Sequence, residues 1–148
     1  AYSGNPLIGI RKDDPTVSLD VNGSINYTGD LTDVSDSRLK ENVQDLEDCL
    51  DKISQLEPKT YTMIAELNTD AGMEGPELGF IAQSVQEIFP DIVRIVKEND
   101  EETGDEVNYL GVSYVQLIAP LVGAVKELKT QNEQLLARIE QLEQSSWA

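Results

Sequence analysis

The sequence predicts an α+β protein with a short β-structured segment, a small mixed α and β body, and a long C-terminal helix that forms a trimeric coiled coil. Apolar and polar residues alternate near the N-terminus, which is typical of strands. Apolar residues then recur at steps of three and four, and a strict heptad repeat occupies the C-terminal end. We expect these three segments to be residues 1–34, 35–115 and 116–148.

The first 34 residues have the pattern of a β-hairpin. Apolar side chains alternate with polar ones from Val17 to Val21 and again from Ile25 to Tyr27. Between these runs lies Asn22-Gly23, a dipeptide that favours a type I′ turn. Because an isolated hairpin is only marginally stable in water, we expect it to pack against the body of the domain or against other copies of the chain.

A helix is predicted between Asp36 and Pro58. Asp36 or Ser37 can cap its start, and Pro58 ends it. Cys49 lies within this segment, and we expect it to be a small, buried apolar residue. The apolar residues with the spacing of one helix face are Leu39, Val43, Leu46, Leu50, Ile53 and Leu56.

The next segment predicts a strand that leads into a short helix, and then a second hairpin. The helix ends at Pro90, and Phe80 and Ile81 are expected to lie in the core. The apolar runs 92–96 and 107–110 flank an acidic turn and predict the hairpin. The acidic turn does not have the spacing of an EF-hand loop, so we expect no calcium site there.

The C-terminal segment has the heptad repeat of a coiled coil. Asn132 occupies a core position, which favours an oligomer because a polar residue there costs stability and fixes the register. The alternatives are an amphipathic helix that packs on its own domain, or a dimeric scaffold. The core positions are Leu121, Val125, Leu128, Asn132, Leu135, Ile139 and Leu142.

Composition limits the classes of function. The chain has 28 acidic and 11 basic residues and a formal charge of −17, so nucleic acid and membrane surfaces are poor partners. It contains no histidine, which removes Ser-His-Asp and Cys-His catalysis and the usual zinc sites, and we expect no metal or cofactor. The first residue is Ala1 rather than methionine, and we expect the chain to be part of a longer protein.

Ser35 and Lys40 are the candidate catalytic pair. Without histidine, a serine nucleophile needs another base, and lysine serves when burial favours its neutral form. Five residues within a helix would place the two side chains about 140° apart, so Ser35 must precede the helix that carries Lys40. The N–H groups at that helix start would then hold a developing oxyanion. On spacing alone, a capping serine and a solvated lysine are the favoured interpretation.

A resemblance changes that balance. The run from Ser35 to Val43 resembles the Ser-Asp-x-Arg-Leu-Lys-x-Asn signature of the self-cleaving intramolecular chaperones at the C-termini of phage endosialidases, tail fibres and neck appendages. Related domains occur in myelin regulatory factor-type proteins. Further similarity lies in the runs Leu19–Gly23, Gly79–Gln83 and Leu110–Tyr114, so that it covers residues 15–142.

The resemblance implies a homotrimer that assists folding of an upstream fibre segment of the same chain and is then released by a single-turnover Ser-Lys dyad peptidase. Ser35 would be the nucleophile and Lys40 the general base, with Asp36 and Arg38 in supporting roles that a cap or a subunit contact would explain equally well. The implied setting is the host cytoplasm during phage assembly, with the parent fibre in the virion tail.

The scissile bond follows from ring size. Attack by Ser35 Oγ on the carbonyl of Val34 passes through a five-membered ring, whereas attack on its own carbonyl needs a strained four-membered ring. We therefore favour cleavage between Val34 and Ser35, with the bond between Ser35 and Asp36 as the alternative. A non-catalytic trimerisation module of a fibre or adhesin is the competing function.

Overall fold

The structure is a computed structural model that describes residues 6–64, 75–99 and 106–146. Its short strands and long C-terminal helix confirm the predicted α+β class. Two compact units are present, Ala1–Asn42 with Thr60–Gly79, and Val43–Lys59 with Phe80–Ala148. The elements are β1 (Ile8–Ile10), β2 (Leu19–Val21), α1 (Cys49–Ser54), β3 (Lys59–Tyr61), β4 (Glu77–Gly79), α2 (Ala82–Ile88), β5 (Val93–Asn99), β6 (Glu106–Val112) and α3 (Ile118–Ser146).

The predicted N-terminal hairpin is wrong. β2 pairs in parallel with β1, in the register Ile8 to Leu19, and residues 24–28 form no strand. The N–H of Asn22 donates to Ile10 O at 3.0 Å, so Asn22 continues the pairing with β1 instead of turning. Gly23 has a φ of 149°, far from the left-handed conformation that a type I′ turn requires.

The long helix predicted between Asp36 and Pro58 is also wrong. The segment forms only a 3-10 turn at Ser37–Leu39 and the six-residue helix α1. Asn42 and Asp48 both adopt left-handed backbone conformations, with φ of 53° and 56°, which no α-helix can contain. Three of the apolar side chains assigned to its buried face are therefore exposed, namely Leu39, Val43 and Leu46.

The hydrophobic core of the second unit lies between α2 and the β5–β6 hairpin. Its buried residues are Val85, Ile92, Val93 and Leu117. The antiparallel pairing of β5 with β6, from Val93 opposite Val112 outward, confirms the predicted hairpin, and its turn lies outside the described residues. The partly buried residues that pack against this core are Ile53, Leu56, Phe80, Phe89, Leu110 and Val112.

An aromatic pair lies just before the start of α2. The Phe80 N–H donates to the hydroxyl oxygen of Tyr114 at 3.0 Å, and the two rings stack with centroids 6.1 Å apart. Phe80 thus packs against the core as predicted, but Ile81 is 45% exposed, so its predicted core position is wrong. The helix ends at Ile88, before Pro90, as predicted.

Helix α1 packs closely against the first turns of α3. The carboxylate of Glu127 accepts hydrogen bonds from the N–H groups of Cys49 and Leu50, both at 2.9 Å, and so caps the start of α1. Cys49 is 2% exposed, which confirms its predicted burial. A Cβ added at Gly123 would overlap Cys49 Sγ, so the absence of a side chain there permits the contact.

Replacing Gly123 with alanine is expected to lower the free energy of unfolding by about 2 kcal/mol, because α1 must move away from α3 to admit the methyl group. Helix propensity alone predicts the opposite sign, a gain of about 1 kcal/mol. Urea denaturation at a fixed protein concentration measures the difference. The loss should shrink in a Cys49→Ala background, where the sulfur is absent, and a net gain in the wild-type background would contradict the packing account.

Helix α3 is 29 residues long and, at 1.5 Å per residue, spans about 43 Å. Its buried residues are Pro120 and Ala124, both near its start, whereas every described residue from Leu128 to Ser146 is exposed. Packing on its own domain therefore does not account for the C-terminal part of the repeat. None of the helices within the described ranges is both long and apolar enough to cross a membrane.

Candidate functional site

Ser35 and Lys40 lie on either side of the 3-10 turn Ser37–Leu39. The Leu39 N–H donates to Asp36 O at 3.1 Å, and the Lys40 N–H donates to Ser37 O at 3.2 Å, which closes the turn. Lys40 itself is extended, with φ −121° and ψ 139°. The chain therefore folds back between the two residues, and Ser35 precedes the helical segment as predicted.

The turn brings the two candidate side chains together. The Lys40 ammonium donates a hydrogen bond to Ser35 Oγ, and the Nζ to Oγ distance is 2.7 Å. A general base must lie within about 2.6–3.2 Å of the hydroxyl that it deprotonates, so the pair has the spacing of a nucleophile and its base. Both side chains are exposed in the single chain.

Asp36 caps the turn and pairs with Arg38. Asp36 Oδ1 accepts from the Arg38 backbone N–H at 2.9 Å and from Arg38 Nε at 2.9 Å, and Oδ2 accepts from a terminal guanidinium nitrogen at 2.6 Å. The Arg38 side chain, and then its backbone N–H, hold the pKa of Asp36 below its ordinary value. The stabilising contribution of this carboxylate is therefore present at neutral pH and is lost as the pH falls through its lowered folded-state pKa.

We predicted that N–H groups at the start of this helical segment would hold a developing oxyanion. For three of these N–H groups the prediction is wrong. The N–H of Arg38 is taken by the Asp36 carboxylate, and those of Leu39 and Lys40 are taken by main-chain carbonyls. A donor that already has a partner cannot also stabilise a developing negative charge without breaking that bond. The turn therefore serves to hold the pair in place.

Asn42, two residues after Lys40, marks a change of chain direction that the periodic pattern did not predict. It has a φ of 53°, in the left-handed region, where asparagine is tolerated better than other residues with a side chain. The change of direction follows directly after Lys40 and Glu41. The last position of the signature, which is asparagine, was the signal that could have identified it.

Replacing Asn42 with alanine is expected to cost about 1 kcal/mol of folding free energy, because alanine pays more than asparagine to adopt the left-handed conformation. Replacing it with glycine should cost little, since glycine adopts that conformation freely. Urea unfolding of the two variants beside the wild-type chain measures both values. Equal losses in the two variants would mean that the asparagine side chain, rather than the backbone conformation, matters.

The surroundings of the pair are apolar and uncovered in the single chain. Val34, at the predicted scissile bond, is 78% exposed, and Leu39, within the turn, is 73% exposed. Leu31, four residues before Ser35, is 81% exposed. The site thus has two polar side chains that contact each other. Several large apolar side chains close to them in sequence are exposed to solvent.

The predicted coiled-coil positions all lie on α3, and the six apolar ones are 44% to 65% exposed. Asn132 is exposed as well. Such a contiguous apolar stripe on a long helix is typical of a surface that packs against another helix. The residues are Leu121, Val125, Leu128, Asn132, Leu135, Ile139 and Leu142.

Residues 35–94 match the sequence profile of a family described as chaperone of endosialidase. The name of this family is that of a peptidase family. The matched segment begins at Ser35 and contains Lys40, the 3-10 turn between them, α1, α2 and the start of β5. The whole signature, from Ser35 to Asn42, is included.

Several longer proteins are similar to the chain. It is 34% identical, over 71% of its length and 8% of the relative's, to the long tail fiber protein Gp37 of Enterobacteria phage K3. It is 26% identical, over 91% of its length and 15% of the relative's, to the myelin gene regulatory factor-like A of Dictyostelium discoideum. An uncharacterized membrane protein of the same organism is 33% identical over 84% of this chain and 8% of its own length.

The chain thus spans only a small fraction of each of these relatives. Residues 35–94 are therefore recognised as a segment of the chaperone-of-endosialidase family, the family whose signature the run at Ser35 resembles.

Proposed function

We propose that this chain is an intramolecular chaperone that trimerises, directs the folding of an upstream fibre segment, and then releases itself by autoproteolysis next to Ser35. The observation that carries the proposal is the 2.7 Å contact between Lys40 Nζ and Ser35 Oγ at the start of the family segment. The turn is capped by Asp36 rather than by Ser35, so capping does not account for the serine at this position. The contact is therefore better explained by a nucleophile and its base.

The chemistry needs only these residues and water. The neutral amine of Lys40 takes the proton of the Ser35 hydroxyl as Oγ attacks the carbonyl carbon of Val34. The bond between that carbon and the Ser35 nitrogen breaks, the ammonium returns the proton to the nitrogen, and an ester joins Val34 to Ser35 Oγ. Water then hydrolyses the ester to a Val34 carboxylate and a free Ser35 hydroxyl.

Because Ser35 and Lys40 are exposed in the single chain, assembly could control when cleavage takes place. A lysine accepts a proton only as the neutral amine, and a solvated lysine is charged at neutral pH. Covering the site would favour the neutral amine by desolvation. Another chain or the fibre would readily pack on the exposed apolar side chains next to the pair, which are Val34, Leu39 and Leu31. Cleavage would then wait until the fibre and its chaperone have assembled.

The apolar stripe of α3 supports the homotrimer. Three chains whose upstream strands must find one register face a large entropic cost, and early association through α3 lowers it by raising the local concentration. Release afterwards removes the element that assembled the fibre, which leaves the fibre kinetically trapped. In this scheme residues 1–34 end the fibre stem, residues 35–115 form the chaperone body, and residues 116–148 form the coiled coil.

The tail-fibre relatives support a place for the parent protein in a phage virion tail. Assembly would take place in the host cytoplasm, and the chaperone would be released after cleavage. The partners would be two further copies of the chain and the upstream segment of the same chain, with no nucleic acid or membrane.

Denaturing electrophoresis of the full-length protein beside its Ser35→Ala variant tests the proposal. A fragment that begins at Ser35 is expected from the wild-type protein alone. Identical patterns from the two proteins would favour the second candidate, a non-catalytic trimerisation module, which the exposed heptad stripe of α3 would equally serve.

A further inference from the structure

We propose that Asp36 is a positioning residue for self-cleavage, because its carboxylate caps the turn Ser37–Leu39 and thereby holds Lys40 within reach of Ser35. The inference rests on the proposed function of Ser35 and Lys40 and adds a residue that acts through them. Asp36 takes no proton in the reaction. Its part is to fix the backbone between the nucleophile and the base.

The contacts run without interruption from Asp36 to the pair. Asp36 Oδ1 accepts from the Arg38 N–H at 2.9 Å, and the Asp36 carbonyl accepts from the Leu39 N–H at 3.1 Å. The carbonyl of Ser37 then accepts from the Lys40 N–H, and Lys40 Nζ reaches Ser35 Oγ at 2.7 Å. A turn of three residues has few hydrogen bonds of its own, so one side-chain cap is a large share of what holds it.

The cap is expected to matter more than the ion pair. The Arg38 side chain is 86% exposed, and ion pairs at such exposure contribute little because water and salt screen them. A side-chain acceptor at an N-cap has a measurable effect, and asparagine and serine supply it about as well as aspartate, whereas alanine does not. The requirement at position 36 is therefore for a short side chain with an acceptor oxygen.

Four variants at position 36 and one control variant of the full-length protein separate these contributions, with the first-order rate of cleavage as the readout. Asp36→Ala is expected to be slower by about tenfold, whereas Asp36→Asn and Asp36→Ser should stay within about threefold of wild type. Asp36→Glu keeps the charge but reaches one methylene too far, and should be slow as well. Asp45→Ala removes an exposed acid outside the turn and should cleave at the wild-type rate.

The pH dependence of the rate separates positioning from a direct part in proton transfer. In Asp36→Ala the maximal rate should fall while the pH of half-maximal rate stays the same, because Lys40 remains the base. A wild-type rate in Asp36→Ala, slow cleavage in both Asp36→Asn and Asp36→Ser, or a displaced pH of half-maximal rate would each overturn the inference.

The outcome for the proposed function is read separately. A wild-type protein that stays intact, or a Ser35→Ala variant that is still cut, would refute the dyad itself. If Asp36→Ala fails to assemble, as judged by sedimentation, the comparison of Asp36→Glu with Asp36→Asn decides. Fast Asp36→Glu with slow Asp36→Asn would then overturn the role of the cap.

Discussion

Replacing Lys40 with methionine is expected to lower the first-order rate of self-cleavage by at least about a hundredfold, and replacing Ser35 with alanine is expected to abolish it. Methionine has nearly the length of lysine but cannot accept the hydroxyl proton, whereas alanine removes the attacking atom itself. The 2.7 Å contact between the two side chains is the reason to expect effects of this size.

Arginine at position 40 separates the role of a base from that of a positive charge. Arginine keeps the charge, but it stays protonated at any relevant pH and cannot act as a base. Lys40→Arg should therefore be as slow as Lys40→Met. Lys52→Met, which replaces an exposed lysine of α1, should cleave at the wild-type rate. The measurement is the time course of fragment formation on a denaturing gel, and fast cleavage by Lys40→Arg would refute general-base catalysis.

If the chain assembles as the proposed trimer, replacing Leu135 with aspartate is expected to convert that trimer into monomers. Leu135 is 61% exposed in the single chain and occupies a core position of the heptad repeat, so a trimer would bury three copies of it. Their loss removes about 6 kcal/mol of burial per trimer, before the cost of desolvating three carboxylates. Sedimentation equilibrium of the wild-type and variant proteins measures the change in mass.

Ala137→Asp is the matched control, because it introduces the same charge two residues later, at the position of the heptad that lies farthest from the core. It should remain trimeric. A wild-type mass of two chains would favour the dimeric scaffold. A monomeric wild-type protein, or equal effects of the two substitutions, would mean that the apolar stripe of α3 is not the assembly surface.

The long C-terminal helix and the β5–β6 hairpin could be predicted because their patterns are local and complete. The heptad repeat in α3 extends over three periods without a breaker, and the apolar runs of the hairpin flank an acidic stretch of sequence. Burial of Cys49 was also predictable from its place among apolar residues. In each case the period of the side chains and the local backbone preference point to the same element.

The segment from Asp36 to Pro58 could not be predicted in this way. Its apolar residues have the period of one helix face, but Asn42 and Asp48 adopt left-handed conformations that interrupt the helix. Asparagine and aspartate are the residues that most readily do so, and their presence was compatible with both structures. The capping role of Asp36 was nevertheless correct, because a cap depends on the first turn alone.

The N-terminal pairing and the α1–α3 contact depend on distant residues. Ile8–Ile10 and Leu19–Val21 have the same alternation, and nothing local decides that they pair in parallel with each other. Gly123 and Glu127 contact α1 across more than seventy positions of sequence, so only the folded chain reveals them. The contact between Ser35 and Lys40 could be predicted only in part. A separation of five residues keeps the two side chains near each other, but only the folded turn shows that they form a hydrogen bond.

The most direct test of self-cleavage at Ser35 is the intact mass and N-terminal sequence of the products of the purified full-length protein. A released fragment that begins at Ser35 with a free amine, and an upstream product that ends in a Val34 carboxylate, is the result expected from attack on the Val34 carbonyl. A fragment that begins at Asp36, or a protein that stays intact after it has assembled as a trimer, would contradict it.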